Sequence, residues 1–129
     1  MIEEYFLQIE KTLHDFPNIL SMSVKKKFYN IKQGYIGGIV IFKNRYRLDF
    51  IEVKDIDIKS KVKYRYQYMD EQQELIFRYD NAPHHKDICT FPHHKHERNE
   101  IKASEEPALF DVLLEIAKTE REPDCRLVL

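Results

Sequence analysis

Over residues 61–69 the chain alternates, with Tyr64, Tyr66 and Tyr68 falling on one side and Lys63, Arg65 and Gln67 on the other. A helix would scatter these six residues around its circumference. A strand with one face in a core and the other open gathers them into two sets. The chain is therefore bound to contain a sheet with one covered face and one polar face.

The same reading extends in both directions. Residues 19–29 are extended, and residues 34–42 are apolar and rich in β-formers. Within them Gly37 and Gly38 mark a bulge or a close backbone approach. Lys43 and Asn44 make a tight turn, and residues 45–53 return with Tyr46, Leu48 and Phe50 opposite Arg45, Arg47 and Asp49. After a turn at 70–73, residues 74–79 place Leu75, Phe77 and Tyr79 on one side and Ile76, Arg78 and, just beyond, Asp80 on the other. Residues 81–96 read as a loop, and 96–103 add a short strand. Consecutive hairpins of this kind predict an antiparallel meander of five to six strands.

Helices flank it. Ile2, Phe6, Ile9 and Leu13 recur at helical spacing, with Tyr5 beside them, and Pro17 and Asn18 end the run. Near the other end, Ser104-Glu105-Glu106-Pro107 reads as a helix start, followed by the stripe Leu109, Val112, Leu113 and Ile116. The expected fold is α+β, a single domain over residues 1–129 with both helices on one face of the sheet. Residues 120–129 are expected to fray or to dock as a strand on a partner. At 129 residues the chain buries enough surface for a core without staples. Cys89 and Cys125 fit no metal-binding spacing and are expected to be free thiols. The acidic, amphipathic first residues lack a leader's basic start and apolar block, and no apolar run reaches membrane-spanning length. A cytoplasmic location without membrane contact is expected.

The net charge of -1 hides an asymmetry. Residues 24–65 carry twelve basic and four acidic side chains, whereas residues 97–124 carry nine acidic and four basic ones. The basic middle is suited to phosphates, and the acidic last helix to an oppositely charged partner or to a second copy of the chain.

Five of the six histidines fall within residues 84–96: His84, His85, His93, His94 and His96. Pro-His-His occurs twice, at Pro83 and at Pro92. Imidazole gives and takes protons near neutrality, and proline stiffens the segment that carries it. Three readings compete. General acid–base cleavage of RNA would use histidines for the base and the acid, and Arg78 and Lys95 for the phosphate. Asp80 would orient an imidazole, and Tyr79 would stack or donate. A metal site would draw on the histidines with Asp80 or Cys89, although no HExxH or paired-cysteine spacing is present. A structural role would have the histidines only pin the loop. On the polar face Lys63, Arg65 and Arg47 are further candidates for nucleic-acid contact. The tyrosine stripe is read as core in preference to a base-stacking platform.

The string FRYDNAPHHKDICTFPHHKH, followed by the SEEP helix start, resembles the TumE family of toxin components from toxin–antitoxin systems. Arg78, Tyr79, Asp80, Asn81, Pro83, His84, His85, Thr90, Phe91, Pro92, His93, His94, Lys95 and His96 fall on the family's motif. Lys86 and Cys89 stand where prolines are expected. The resemblance implies a toxin encoded beside an antitoxin, often one with a helix-turn-helix domain, and an RNA-cleaving or otherwise translation-blocking activity. The combined expectation is a metal-independent endoribonuclease with no cofactor, using one histidine of His84/His85 and one of His93/His94/His96. The rivals are a non-catalytic nucleic-acid-binding or regulatory module and a metal-dependent nuclease.

Overall fold

The computed structural model describes the backbone of residues 1–127 and the side chains of residues 1–119. Helix α1 (Ile2–Asp15) precedes strands β1 (Ile19–Phe28), β2 (Gln33–Phe42), β3 (Arg47–Asp55), β4 (Lys63–Met69), β5 (Leu75–Asp80), β6 (His94–Glu97) and β7 (Glu100–Ala103); helix α2 (Leu109–Leu127) follows. The strands lie side by side in chain order in one antiparallel sheet. This is the expected α+β meander, with one more short strand than residues 81–103 led one to expect. Residues 94–103 fold into a hairpin of their own, in which His96 pairs with Ile101 around a turn where Arg98 takes φ 32°.

Both helices contribute to one core. Ile2, Phe6, Ile9 and Leu13 of α1, and Leu109, Val112, Leu113 and Ile116 of α2, are buried against the sheet. The sheet supplies Ile36, Val40, Phe42, Leu48, Phe50, Phe77 and the tyrosine stripe, whose three members are at most 1% exposed. Burying one such ring stabilises the fold by about 2 kcal/mol before entropy is counted. The tyrosines are thus core, as their alternation predicts. Polar groups on this face are paired. Glu52, 0% exposed, accepts from the Tyr5 hydroxyl at 2.5 Å and the Tyr66 hydroxyl at 2.6 Å, which ties α1 to β3 and β4.

Gly37 and Gly38 make close approaches without a bulge: the β1–β2 register is continuous past both, and the shift lies at Ile19/Ser21 instead. The expected helix start at Ser104 is corrected to Leu109. Residues 104–108 stay outside the helix, where Glu106 accepts from the Lys61 backbone N–H at 3.0 Å and the Pro107 carbonyl accepts from Lys61 Nζ at 2.7 Å. These bonds strap the segment across the start of β4. No helix among the described residues is long and apolar enough to cross a membrane. Of the expected C-terminal tail, residues 120–127 continue the α2 backbone, and Val128 and Leu129 lie outside the described residues.

Candidate functional site

The open face of the sheet is ordered into straight cross-strand rows. One runs Lys25, Gly37, Ile51, Arg65, Asp80, His94, Ala103. The next runs Ser23, Ile39, Asp49, Gln67, Arg78, His96, Ile101. Because side chains alternate, pairing β6 with β5 places His94 and His96 on the face that carries Asp80 and Arg78. The 81–93 loop then folds back so that the His85 ring lies 5.2 Å from the His94 ring and 5.7 Å from the His96 ring. The His94 and His96 rings are 4.8 Å apart. His85 is held at φ 51°, a left-handed conformation uncommon for a non-glycine residue and often found at functional sites.

Asp80 organises the group. Its Oδ1 accepts from the Ala82 N–H at 3.0 Å and lies 2.9 Å from His94 Nε2; its Oδ2 accepts from Arg78 Nε at 3.0 Å. His94, 2% exposed, has its other nitrogen, Nδ1, 2.9 Å from the Pro92 carbonyl. The His94 ring is thus held between a carboxylate on one side and a carbonyl on the other, both of which only accept. His96 differs. Its Nε2 lies 3.2 Å from Arg78 Nη2, a group that only donates, so this nitrogen carries the lone pair. Burial, and after it the Arg78 charge, hold the His96 pKa below its ordinary value. Two neighbouring imidazoles thus sit in contrasting surroundings, His94 against a carboxylate and His96 against a guanidinium.

The cavity around this group, of about 330 Å³, is lined by His84, His85, His94, His96, Arg78, Asp80, Lys63 and Arg65, together with Asn81. Lys63 and Arg65 are exposed at its rim, and among the described residues neither forms an ion pair. His84 is exposed at the mouth. The structure therefore gathers most of the candidates but not all. His93 stacks on Tyr64 at 5.8 Å, with Nδ1 2.9 Å from its hydroxyl, and does not line the cavity. Arg47 is bound to Asp49 through Nε at 2.6 Å and Nη2 at 3.0 Å, one row away. Tyr79 and Lys95 are opposite one another on the helix face. There Glu115 accepts from the Tyr79 hydroxyl at 2.5 Å and from Lys95 Nζ at 2.7 Å. Burial and then the bond to Glu115 push the Tyr79 pKa up to about 12.

Two residues given no role by the sequence reading hold the site together. Asn81 uses its side chain to continue the sheet, accepting from the Tyr64 N–H at 3.0 Å and donating to the Val62 carbonyl at 3.2 Å. Its place between a strand-ending aspartate and Ala-Pro was the available signal. Glu115 latches α2 to β5 and β6; in sequence it is one acid among many on a helix, and nothing marks it.

His85, His94 and His96 each offer a ring nitrogen within 4.8 Å of the others, so the same cluster could hold a metal ion. In that case the His94 Nδ1 bond to the Pro92 carbonyl would be the outer hydrogen bond that commonly orients a metal-ligating imidazole. The Arg78 cation at the His96 lone pair opposes that use.

The sequence profile of the family described as Toxin TumE matches residues 9–122. The chain belongs to the TumE toxin family. The match includes β1 to β7, the histidine cavity and the start of α2, so the family relationship extends well beyond the histidine string. Neither a curated protein nor a solved structure matches the chain.

Proposed function

We propose that this TumE toxin cleaves RNA by histidine proton transfer and is restrained by a cognate antitoxin. The observation that carries the reading is the convergence of His85, His94 and His96 around Asp80 and Arg78 on an open, basic sheet face. His96, with its lone pair available, is the base for the ribose 2′-hydroxyl. His85, on the loop side of the cavity, is the acid for the departing 5′-oxygen. The Asp80–His94 pair positions both rings. Arg78 changes partner from His96 to the phosphate as the substrate enters, and Arg65 and Lys63 hold the flanking phosphates. The antitoxin, of helix-turn-helix type in the family's usual pattern, would meet the acidic α2, where Phe110 and Leu114 are exposed.

The test is cleavage of single-stranded RNA by the purified chain in excess EDTA. Cleavage should persist, and His96→Ala and His85→Ala should each lower the rate by about 10²–10⁴-fold. Undiminished cleavage after all five loop histidines are changed to alanine would end the proposal. The clustering of three ring nitrogens within 4.8 Å supports one alternative, a metal-dependent nuclease. Loss of activity in EDTA with recovery on zinc or manganese would select it. Salt-sensitive binding without cleavage would select a non-catalytic RNA-binding module.

A further inference from the structure

A second hollow, of about 250 Å³, opens on the same face beside the histidine cavity. Its floor is Gly37, which belongs to the same row as Arg65, Asp80 and His94. A Cβ at Gly37 would meet the Tyr35 hydroxyl at 2.5 Å and the Phe50 carbonyl at 2.9 Å, so the phenol of Tyr35 leans into the space left by the missing side chain. Ile51 adds an apolar wall, and Lys25 closes the far end. Arg65 lines this hollow and the histidine cavity alike. The row of Tyr35 itself runs from Lys27 through Val53 to Lys63, with a cation at each end. Among the described residues Lys25, Lys27, Lys63 and Arg65 form no ion pairs, whereas the one acid lining the hollow, Asp49, is paired with Arg47.

We propose that this hollow is a base subsite, which takes one unpaired base of a single-stranded RNA against Tyr35 while Arg65 holds the phosphate between that base and the histidine cavity. The proposal rests on the reading of RNA as the substrate. The hollow is smaller than the roughly 300–1,000 Å³ pockets that enclose a whole drug-sized ligand, and suits a single planar ring. At a strand spacing near 4.8 Å, Gly37 lies ~14 Å from Asp80, a distance a short extended strand can bridge. A base enters only after leaving its own stack, so the track selects single strands over duplexes. Cations along both rows follow the backbone without reading sequence.

The experiment measures binding, not cleavage, so that it separates from the nuclease reading. A fluorescent pentaribonucleotide with every 2′-hydroxyl methylated cannot be cut through that group. Its affinity is compared for wild type, Tyr35→Phe, Tyr35→Val and Gly37→Ala, each checked for folding by circular dichroism. Tyr35→Phe should bind as wild type does. Tyr35→Val and Gly37→Ala should bind about tenfold more weakly, as expected for loss of one stacked base. A duplex of the same sequence should compete poorly. If Gly37→Ala does not fold, Tyr35→Val decides. Unchanged affinity in Tyr35→Val, equal competition by duplex, or no binding by wild type would each overturn the subsite. If wild type binds as expected but cuts no RNA, the subsite stands and the nuclease reading falls.

Discussion

Asp80 Oδ1 and His94 Nε2 face one another at 2.9 Å, with both side chains buried. The same carboxylate also receives the Arg78 guanidinium and the Ala82 N–H. Removing it leaves three donors without their acceptor in a poorly solvated place. Asp80→Ala should therefore destabilise the fold by about 3 kcal/mol, and Asp80→Asn, which keeps one acceptor oxygen, by less. Urea midpoints measure this. A loss below about 0.5 kcal/mol for Asp80→Ala would show that the site is not organised around this group.

His96 should titrate below its ordinary range, because burial and the neighbouring Arg78 charge disfavour the imidazolium. If the neutral ring is the base, activity is present above this lowered pKa and fades as pH falls through it. Arg78→Gln removes one of the two main causes, so the pKa should rise and the acid limb should move to higher pH. NMR titration of the His96 ring follows the shift even if phosphate binding weakens. An unchanged or lowered value in Arg78→Gln would contradict the assignment.

Lys95 and Arg65 should separate cleanly. Lys95 points at α2, with Nζ 5.0 Å from the centre of the Tyr79 ring and 2.7 Å from Glu115. Lys95→Ala should lower the melting temperature while leaving the salt dependence of RNA binding alone. Arg65→Ala should keep the melting temperature and reduce the slope of log K against log salt by about 0.7, the value for one phosphate contact on a single strand. The reverse outcome would return Lys95 to the phosphate.

The Tyr5–Glu52–Tyr66 clamp predicts sensitivity to alkali. Burial, then Glu52, raises the pKa of both tyrosines above 10. A group whose pKa is raised on folding contributes stability that is complete below its unfolded value and lost as pH rises toward the folded one. Urea stability should thus decline above about pH 10. Glu52→Gln lowers both folded values and should make that decline shallower, at a cost at neutral pH of about 1–2 kcal/mol for the tyrosine hydroxyl left facing an amide donor. An equally steep decline in Glu52→Gln would remove the clamp as its cause.

Where periodicity rules, the sequence was sufficient. The alternation at Tyr64, Tyr66 and Tyr68 specified a covered face, and the spacing of Ile2, Phe6, Ile9 and Leu13 specified the helix that covers it. The helix at Ser104 was misplaced because local capping chemistry competed with tertiary bonds from Lys61, and the tertiary bonds won. The site was legible as a composition of histidines but not as a geometry. Whether His94 or Lys95 faces the cavity depends on the register of β6 against β5. A one-residue slip would exchange them, and four residues of mixed polarity do not announce their register. His93 illustrates the same limit, since its stacking on Tyr64 joins residues 29 positions apart.

The meander has a temporal side. Each strand pairs with its neighbour in the chain, so a polypeptide emerging from its N-terminus can complete the strands carrying Lys25, Lys27, Lys63 and Arg65 before residues 94–96 have emerged. Glu115, which seals the last hairpin through Lys95, is made later still. On the proposed reading, an unfinished chain grips RNA before it possesses the groups that would cut it. Harm to the cell that makes the protein then begins only once the last hairpin and Glu115 are in place.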